Sequence, residues 1–422
     1  MRILSVHMNS TLNGGAELGR THSNRLLAER GHSIAWLGIG IPQDALARGE
    51  PVFSLPELPD EDSRRITQIP RHFYNPAAFR LAKRAIQEFH PDIVRVHTVF
   101  GYRYLTPAVL LPFRECGIPI IQTLHDYGLI CPASFFLSSN QICEACKGGK
   151  YYSVVLRRCR GGSFFKSCAA AFNAYLKDYA YHYDSLITGY IAPSQFLRQK
   201  YIEFGVAPEK IEVVPNAYFL PGTPDKTSVP KRQNFILFAG RLSYEKGVDT
   251  LIKAVEDLDV EVKIAGDGEE RENLKSLIKA SGSRNIKFLG KLPHTEMGAL
   301  YQQAACVVIP SRSYENSPTV ILEAFSYATP VIAARIGALP EFVIDGYSGL
   351  LFNVDDPVDL RQVIQSALND PIRLAGMAAQ AYQSVQAGHA PDVHAARLEA
   401  LLERHWSRSK KPAINNPGEG QP

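Results

Sequence analysis

Short apolar runs alternate with longer amphipathic segments along most of the chain. In the first half, the apolar runs predict strands at residues 3–6, 34–37, 93–96, 118–124 and 186–191, with helices at 16–30 and 77–89 between them. The second half repeats the pattern, with predicted strands at 235–239, 260–265, 286–289, 306–309, 331–333 and 350–352 and a helix at 248–256. Such βα alternation predicts α/β architecture with parallel sheets covered by helices.

The length and one polar stretch indicate two domains. A chain of 422 residues exceeds what one ordinary core organises. Residues 218–233, rich in Pro, Gly and charge, predict a linker between a domain at 1–217 and a domain at 234–388, and the polar tail 407–422 is expected to be disordered. Open α/β sheets bind ligands outside the carboxyl ends of their strands, so two doubly wound, Rossmann-like domains predict a site in the cleft between them.

Composition excludes several classes of protein. With 45% hydrophobic and 21% charged residues the chain is typical of a soluble globular protein, and a net charge of +4 argues against nucleic acid as a partner. No apolar run reaches the roughly 18 to 20 residues of a membrane span, and residues 1–7 resemble a first strand rather than a signal peptide. We therefore expect a cytoplasmic protein.

The most informative motif is the run from Ser313 to Phe325, which holds Glu315 and Glu323 eight positions apart. Pro318 and Thr319 are typical of a first helical turn. The free amides and positive dipole at such a helix start suit a phosphate, with one carboxylate on either side to bind hydroxyl groups. A capped amphipathic helix with two solvated glutamates is the alternative.

Further loops at strand ends offer similar chemistry. Gly14 and Gly15 follow the first strand, where paired glycines let backbone amides approach a phosphate or sugar. Arg241 and Lys246 flank a turn after the first strand of the second domain and suit a diphosphate. Gly266 lies in another glycine turn, and the segment 337–341, with 345–351 behind it, follows a later strand. Each loop alone has an ordinary structural explanation, but their coincidence favours a ligand site.

This ordered set of motifs resembles glycosyltransferase family 4, whose members are retaining enzymes of the GT-B fold that take sugars from nucleotide diphosphates. The resemblance covers nearly the whole chain, from Gly14 to the segment 345–346. It implies two Rossmann-like domains facing across a cleft and a closing helix at 389–406 that crosses back to the first domain. It also implies a nucleotide-sugar donor and a glycan or polyprenyl-linked acceptor of cell-surface polysaccharide biosynthesis.

The resemblance also implies a role for each motif. Arg241 and Lys246 would neutralise the donor diphosphate, Glu315 would bind sugar hydroxyls, Glu323 would bind the ribose, and His125 would lie beside the donor sugar. The donor would further contact Gly14, Gly15, Gly266, Lys291, Asn316, Ser317, Pro318, Thr319 and Val320. Ala338 and Ala217 stand where glycine is frequent in the family, which puts donor geometry in question.

The reaction fits these parts. Breaking the anomeric bond leaves a nucleotide diphosphate, whose charge two cations in a closed cleft would stabilise without a divalent metal. We expect Glu315 to bind the sugar rather than form a covalent intermediate, and Asp126 is a further polar candidate beside His125. The alternatives are a nucleotide-sugar epimerase or phosphorylase of the same fold, or a non-catalytic binding protein.

A cysteine-rich insertion at about 128–165 follows His125. Cys131, Cys143, Cys146 and Cys159 have the spacing C-x11-C-x2-C-x12-C, which four ligands of a structural zinc ion can adopt. Reduced unligated thiols and an iron–sulfur or redox role are the alternatives, and Cys168 is a substitute ligand.

Basic residues and adjacent phenylalanines end this insertion, in the stretch 157–166. They suit peripheral contact with the inner face of a membrane or a polyprenyl diphosphate acceptor. A solvated charge cluster is the alternative.

Overall fold

The computed structural model describes residues 1–7, 15–56, 74–97, 105–218 and 232–410. The expected fold is confirmed, because two parallel sheets with helices on their faces occupy the two halves of the chain. Most of the predicted linker, residues 219–231, lies outside the described residues, as do residues 411–422 of the tail.

The first sheet has the strand order β3-β2-β1-β4-β5-β8-β9, with every described pairing parallel. Its central strands β4, β5 and β8 are buried along their whole length, as expected for a sheet covered on both faces, although β4 contains Arg95 and β5 contains Gln122 and Thr123. The strands are β1 (Arg2–His7), β2 (Ser33–Ile39), β3 (Val52–Leu55), β4 (Ile93–Val96), β5 (Ile120–Thr123), β8 (Gly189–Ala192) and β9 (Ile211–Val213), with β6 (Leu137–Ser138) and β7 (Gln141–Ile142) forming a separate small hairpin.

The helices of the first half begin where the sequence provides caps. The Asn75 side chain accepts hydrogen bonds from the amides of Ala77 and Ala78, Pro76 occupies the first turn, and His90 ends that helix in the left-handed conformation. The α-helices are α1 (Gly15–Glu29), α2 (Gln43–Ala47), α3 (Pro76–Phe89), α4 (Leu111–Glu115), α5 (Tyr152–Leu156), α6 (Phe164–Tyr175), α7 (Tyr183–Leu186) and α8 (Gln195–Glu203).

The second sheet has the order β12-β11-β10-β13-β14-β15, all parallel, so the strand order reverses between β10 and β13. Its strands are β10 (Phe235–Ala239), β11 (Glu261–Ala265), β12 (Ile286–Gly290), β13 (Cys306–Ile309), β14 (Val331–Ala334) and β15 (Gly349–Phe352). The helices are α9 (Val248–Ala254), α10 (Arg271–Ser281), α11 (His294–Gln303), α12 (Thr319–Ser326), α13 (Leu339–Phe342), α14 (Pro357–Asn369), α15 (Pro371–His389) and α16 (Pro391–Lys410).

The last helix packs on the first sheet, not the second. Leu398, Leu401 and Leu402 of α16 are buried in one core with Ile3 of β1 and Leu27 of α1. The helix runs to Lys410, so residues 407–410 are helical although the sequence predicts disorder there. None of the helices in the described ranges combines the length and the apolarity that a membrane crossing requires.

Candidate active site

The carboxyl ends of the two sheets face a shared cavity of about 230 Å³. Gly19 and His125 line it from the first half of the chain, and Lys246 and Glu315 line it from the second. It therefore lies where doubly wound sheets bind ligands. Its remaining lining residues are Pro193, Asn216, Asn316, Ser317, Pro318, Thr319 and Val320.

The start of α12 forms one wall of this cavity. Pro318 is the N-cap, with an extended backbone, and no side chain caps the helix. The helix begins at Thr319, one residue later than the sequence predicts, because Pro318 keeps a ψ of 111°. Uncapped amides at a helix start favour an anion, so this end of the cavity suits a phosphate.

Glu315 is held in place by a cation and a hydroxyl group. The Lys246 Nζ atom and the Ser311 Oγ atom each lie 2.7 Å from Glu315 Oε1. Burial works against ionisation of Glu315, but the Lys246 ammonium and the Ser311 hydroxyl keep its pKa below the ordinary value. The cavity thus contains an ionised carboxylate paired with an ammonium group.

A glycine loop supports the backbone of Glu315. Gly337 has a φ of +60°, and a Cβ atom there would lie 2.7 Å from the Glu315 amide nitrogen, so only glycine fits. The Ala338 amide donates to the Glu315 carbonyl at 3.0 Å. Ala338 itself has a φ of −81°, which any residue adopts, so alanine here does not disturb the loop.

His125 contributes a neutral imidazole. Its Nε2 atom lies 3.0 Å from His97 Nδ1, and its carbonyl oxygen accepts a hydrogen bond from Asn316 Nδ2 at 2.9 Å. Burial and the nearby Arg20 and Arg95 charges lower the pKa of His125 to about 4. At neutral pH the ring therefore offers hydrogen bonding and shape rather than positive charge.

A second cavity, of about 440 Å³, adjoins the first, because Val320 lines both. Glu323 lies in it and accepts a hydrogen bond of 2.5 Å from the Tyr301 hydroxyl. Burial and the adjacent Glu323 carboxylate raise the pKa of Tyr301, so the phenol stays protonated and donates. The cavity is lined by Ala239, Gly240, Arg241, Ala265, Gly266, Asp267, Lys291, Leu292, Met297, Tyr301, Val320 and Glu323.

Gly266 is required by a close backbone approach. It has a φ of +148°, and a Cβ atom there would lie 1.8 Å from the Gly240 carbonyl oxygen. The loops after β10 and β11 therefore touch at this point, and residues of both loops line the second cavity. The structure therefore explains the glycine at position 266 by this contact between two loops and not by the approach of a ligand.

The structure brings most of the predicted residues together but divides them between the cavities. Lys246, Glu315 and His125 line the first cavity, whereas Arg241 and Lys291 line the second. Gly14 lies outside the described residues, and Gly15 is the first residue of α1.

Two of the later motifs serve the fold. The Glu341 carboxylate accepts hydrogen bonds from the amides of Gln195 and Phe196 at the start of α8, and Asp345 accepts from the Leu351 amide. Neither residue lines either of the two cavities described above. The expectation that the segments 337–341 and 345–351 offer contacts to a phosphate or to hydroxyl groups stays a prediction.

Several lining residues escape sequence reasoning. Gly19 lies one helical turn beyond Gly15, so it shares a helix face with Gly15, and this i, i+4 spacing is a sequence signal that could have identified it. Asn216, whose Nδ2 atom donates to Ser317 Oγ at 3.1 Å, directly precedes Ala217, which the sequence marks only as standing where glycine is frequent in the family. Pro193 and Tyr301 carry no local signal, because only the folded sheet and helices place them at the cavities.

The zinc hypothesis is not confirmed. All seven cysteines are free, and the described part of the chain has no group of three or more His, Cys, Asp or Glu side chains placed to hold a metal ion. Burial, together with neighbouring Cys131, Cys159 and Cys143, raises the pKa of Cys146 to about 12, which keeps that thiol protonated. Cys131 also has a raised pKa because it is buried.

Comparisons with known proteins agree with this geometry. The model for Glycosyltransferase Family 4 matches residues 13–218, and the model for Glycosyl transferases group 1 matches residues 223–384. The chain belongs to glycosyltransferase family 4, and it is a glycosyltransferase.

Individual relatives cover different shares of the chain. D-inositol 3-phosphate glycosyltransferase 1 of Catenulispora acidiphila is 28% identical over 328 residues, which is 71% of each chain. An uncharacterised glycosyltransferase of Methanocaldococcus jannaschii is 37% identical over 137 residues, 32% of this chain and 39% of that protein. The structure of Anabaena HepE in complex with UDP has a TM-score of 0.68 at 19% identity and covers 96% of this chain and 100% of that one, which confirms the GT-B fold.

Proposed function

We propose that this chain is a retaining glycosyltransferase that moves a sugar from a nucleotide diphosphate donor to a glycan or lipid-linked acceptor in cell-surface polysaccharide synthesis. The observation that carries the proposal is the position of Glu315 and Glu323 in adjoining cavities on either side of the α12 start. A donor spanning both cavities would place its sugar at Glu315, its diphosphate at the free amides and its ribose at Glu323.

The charges suit such a donor. Lys246, now paired with Glu315 at 2.7 Å, would turn to the phosphate whose charge grows as the anomeric bond breaks. Arg241, in the second cavity, would contact the same diphosphate from the nucleotide side. These two cations carry the charge stabilisation in this proposal, and no step in it uses a divalent metal.

Asn316 and Glu315 would supply hydrogen-bond acceptors for the sugar. In the described structure the buried Asn316 Oδ1 atom has no hydrogen-bond partner, although Nδ2 of the same side chain is bonded to the His125 carbonyl oxygen. A sugar hydroxyl would satisfy that acceptor, and Glu315 would accept a second one. Neutral His125 would border the same sugar, and we infer that it positions the acceptor hydroxyl on the face from which the phosphate leaves.

Transfer and donor binding test the proposal together. UDP-, GDP- and ADP-sugars are screened by thermal shift, starting with UDP-glucose because the similar Anabaena protein was crystallised with UDP. With a stabilising donor, nucleotide diphosphate release is then followed with bacterial glycans and polyprenyl-linked saccharides as acceptors, and NMR of the product reports the anomeric configuration.

Glu315→Ala is the decisive variant. It removes the carboxylate that binds the sugar and frees Lys246 from its partner, so we expect kcat/KM to fall by about hundredfold or more. Glu272→Gln, on an exposed carboxylate of α10, is the control and leaves activity unchanged. Wild-type turnover by Glu315→Ala, or a product with inverted anomeric configuration, would contradict the proposal. The cytoplasmic location of the protein stays a prediction.

A further inference from the structure

The segment 145–177 concentrates positive charge. It holds seven Lys and Arg residues and no Asp or Glu, which leaves 39 basic and 42 acidic residues in the rest of the chain. The net positive charge of the protein therefore comes from this one segment, which includes α5 and α6. Five of its cations are exposed, namely Lys147, Lys150, Arg157, Arg158 and Lys166.

The same region concentrates exposed apolar side chains. Of the fifteen large hydrophobic residues that are exposed in the described structure, eight lie between residues 135 and 179. They are Phe135, Ile142, Tyr152, Leu156, Phe164, Phe165, Phe172 and Tyr179. Scattered exposed apolar residues need no explanation, but such a concentration marks an interaction surface.

Helix α6 is apolar on both faces. Its inner face, Ser167, Ala170, Ala171 and Ala174, is buried, and the three alanines share a small core with residues of α5. Its outer face carries Phe165, Ala169 and Phe172 at spacings of four and three residues, with Phe165 83% and Phe172 54% exposed. Leu156, at the end of α5, is 77% exposed.

We propose that this surface, formed by α5, α6 and the turn between them, docks onto an anionic lipid bilayer. Phe165, Phe172 and Leu156 would enter the interface between headgroups and acyl chains, and the exposed cations would contact anionic headgroups. A second copy of the chain is a poorer partner, because it would bring two strongly positive surfaces together.

Contacts within the chain connect this surface to the candidate active site. Glu144, at the edge of the segment, accepts hydrogen bonds from Lys200 of α8 at 2.8 Å and from the Tyr314 hydroxyl at 3.0 Å. Tyr314 directly precedes Glu315. A membrane bound through α5 and α6 would therefore lie against the first domain, whose His125 lines the first cavity.

Vesicle sedimentation tests the docking without requiring transferase activity. The full chain is mixed with vesicles of phosphatidylcholine alone or of phosphatidylcholine with phosphatidylglycerol, at low and at physiological salt. We expect binding to the anionic vesicles that weakens with salt, and little binding to the neutral ones. Absence of binding to anionic vesicles at low salt would overturn the proposal and leave the proposed function intact.

Matched variants separate the apolar from the electrostatic contribution. Arg157→Gln with Arg158→Gln should lower partitioning by about 25-fold, since each cation near such a surface is worth a factor of about five. Phe165→Ser with Phe172→Ser should lower it by about tenfold. Ile372→Ser, on a residue 85% exposed on α15, and Lys279→Gln on α10 are the controls.

The variants also discriminate against other partners. If the phenylalanine variant bound vesicles like the wild type but changed the oligomeric state, the surface would be a protein interface. If it bound like the wild type with no change in oligomeric state, the surface would bind polyanions through charge alone, without insertion of apolar side chains. Either result would overturn bilayer docking, whereas equal melting temperatures of variants and controls would show that all of them are folded.

Discussion

A buried tyrosine fixes the carboxylate of Glu323. Tyr301 donates to Glu323 Oε2 at 2.5 Å, and its ring stacks on Tyr327 with centroids 6.0 Å apart. Glu323 also lines the second cavity. If Glu323 binds the ribose, Tyr301 therefore acts through Glu323 as a positioning residue.

Removing that hydroxyl group should weaken the donor without slowing the chemical step. We expect Tyr301→Phe to raise KM for the donor by about tenfold and leave kcat nearly unchanged, because one hydrogen bond to a charged group is lost. Tyr327→Phe removes a nearby hydroxyl that is not bonded to Glu323 and should leave KM unchanged. A KM effect equal in both variants would show that only local packing had been disturbed.

Charged residues at strand ends were the part of the site that the sequence could predict. Glu315, Lys246 and Glu323 follow from a proline at a helix start and from basic residues in a turn, which are local signals. The sequence does not show why residue 337 is glycine, because the steric reason is long-range. A Cβ atom at this position would meet the backbone of Glu315, 22 positions earlier in the chain. Tyr301 was missed because the contact with Glu323 exists only after α11 and α12 pack together.

At the scale of elements, most strands were predictable, including both edge strands of the second sheet, but the edge strands of the first sheet were not. The predicted bounds of β4, β10 and β13 match the structure, since each is a buried run that is apolar except for Arg95 in β4. Strands β3 and β9 were not predicted, because each contains a polar residue and is only partly buried, so the apolar signal is weak. Residues 186–188, predicted as strand, precede β8 instead, because Tyr183–Leu186 forms a helical turn.

One element contact joins the two halves of the chain beside the cavity. The Glu341 carboxylate of α13 accepts from the amides of Gln195, at 2.8 Å, and of Phe196, both in the first turn of α8. A carboxylate is favoured at this position by the free amides and by the helix dipole. The contact holds α8 and α13 together in the state that the structure describes.

Glu341→Ala should release the start of α8. We expect the amides of Gln195 and Phe196 to exchange hydrogen at least about tenfold faster in the variant, because the loss of bonds to a charged group costs roughly 1.5–3 kcal/mol. Hydrogen–deuterium exchange read by mass spectrometry measures this directly. Glu256→Ala, on an exposed residue after α9, is the control, and unchanged protection in Glu341→Ala would contradict the role of this contact.

At the scale of the whole molecule, buried histidines lie near two buried arginines, Arg20 of α1 and Arg95 of β4, where α16 packs on the first sheet. Arg95 donates to Asn24 Oδ1 at 2.9 Å, and burial lowers its pKa to about 10. His394 lies between Ser23, at 2.8 Å, and the Pro215 carbonyl oxygen, at 2.7 Å, and burial lowers its pKa to about 4. Protonating His394 or His125 would add positive charge beside Arg95.

This arrangement makes the first half of the chain sensitive to acid. A histidine whose pKa is about 4 when folded and 6.5 when unfolded binds fewer protons in the folded state. Stability is therefore lost as pH falls below about 6.5, by roughly 2 kcal/mol per such histidine between pH 7 and pH 5. Lowered carboxyl pKa values, such as those of Asp249 and Glu315, add to the loss only at more acidic pH.

Urea unfolding at pH 7 and pH 5 measures this loss. Tryptophan fluorescence reports on the relevant region, because Trp36 lies in β2 and Trp406 lies in α16, which packs on the first sheet. His394→Asn should lower the stability at pH 7 but reduce its change between the two pH values by roughly 2 kcal/mol, since one titrating group is gone. His182→Asn, on an exposed residue whose left-handed backbone asparagine tolerates, should keep the wild-type difference. A pH dependence that survives unchanged in His394→Asn would mean that this buried cluster does not set the acid limit of the fold.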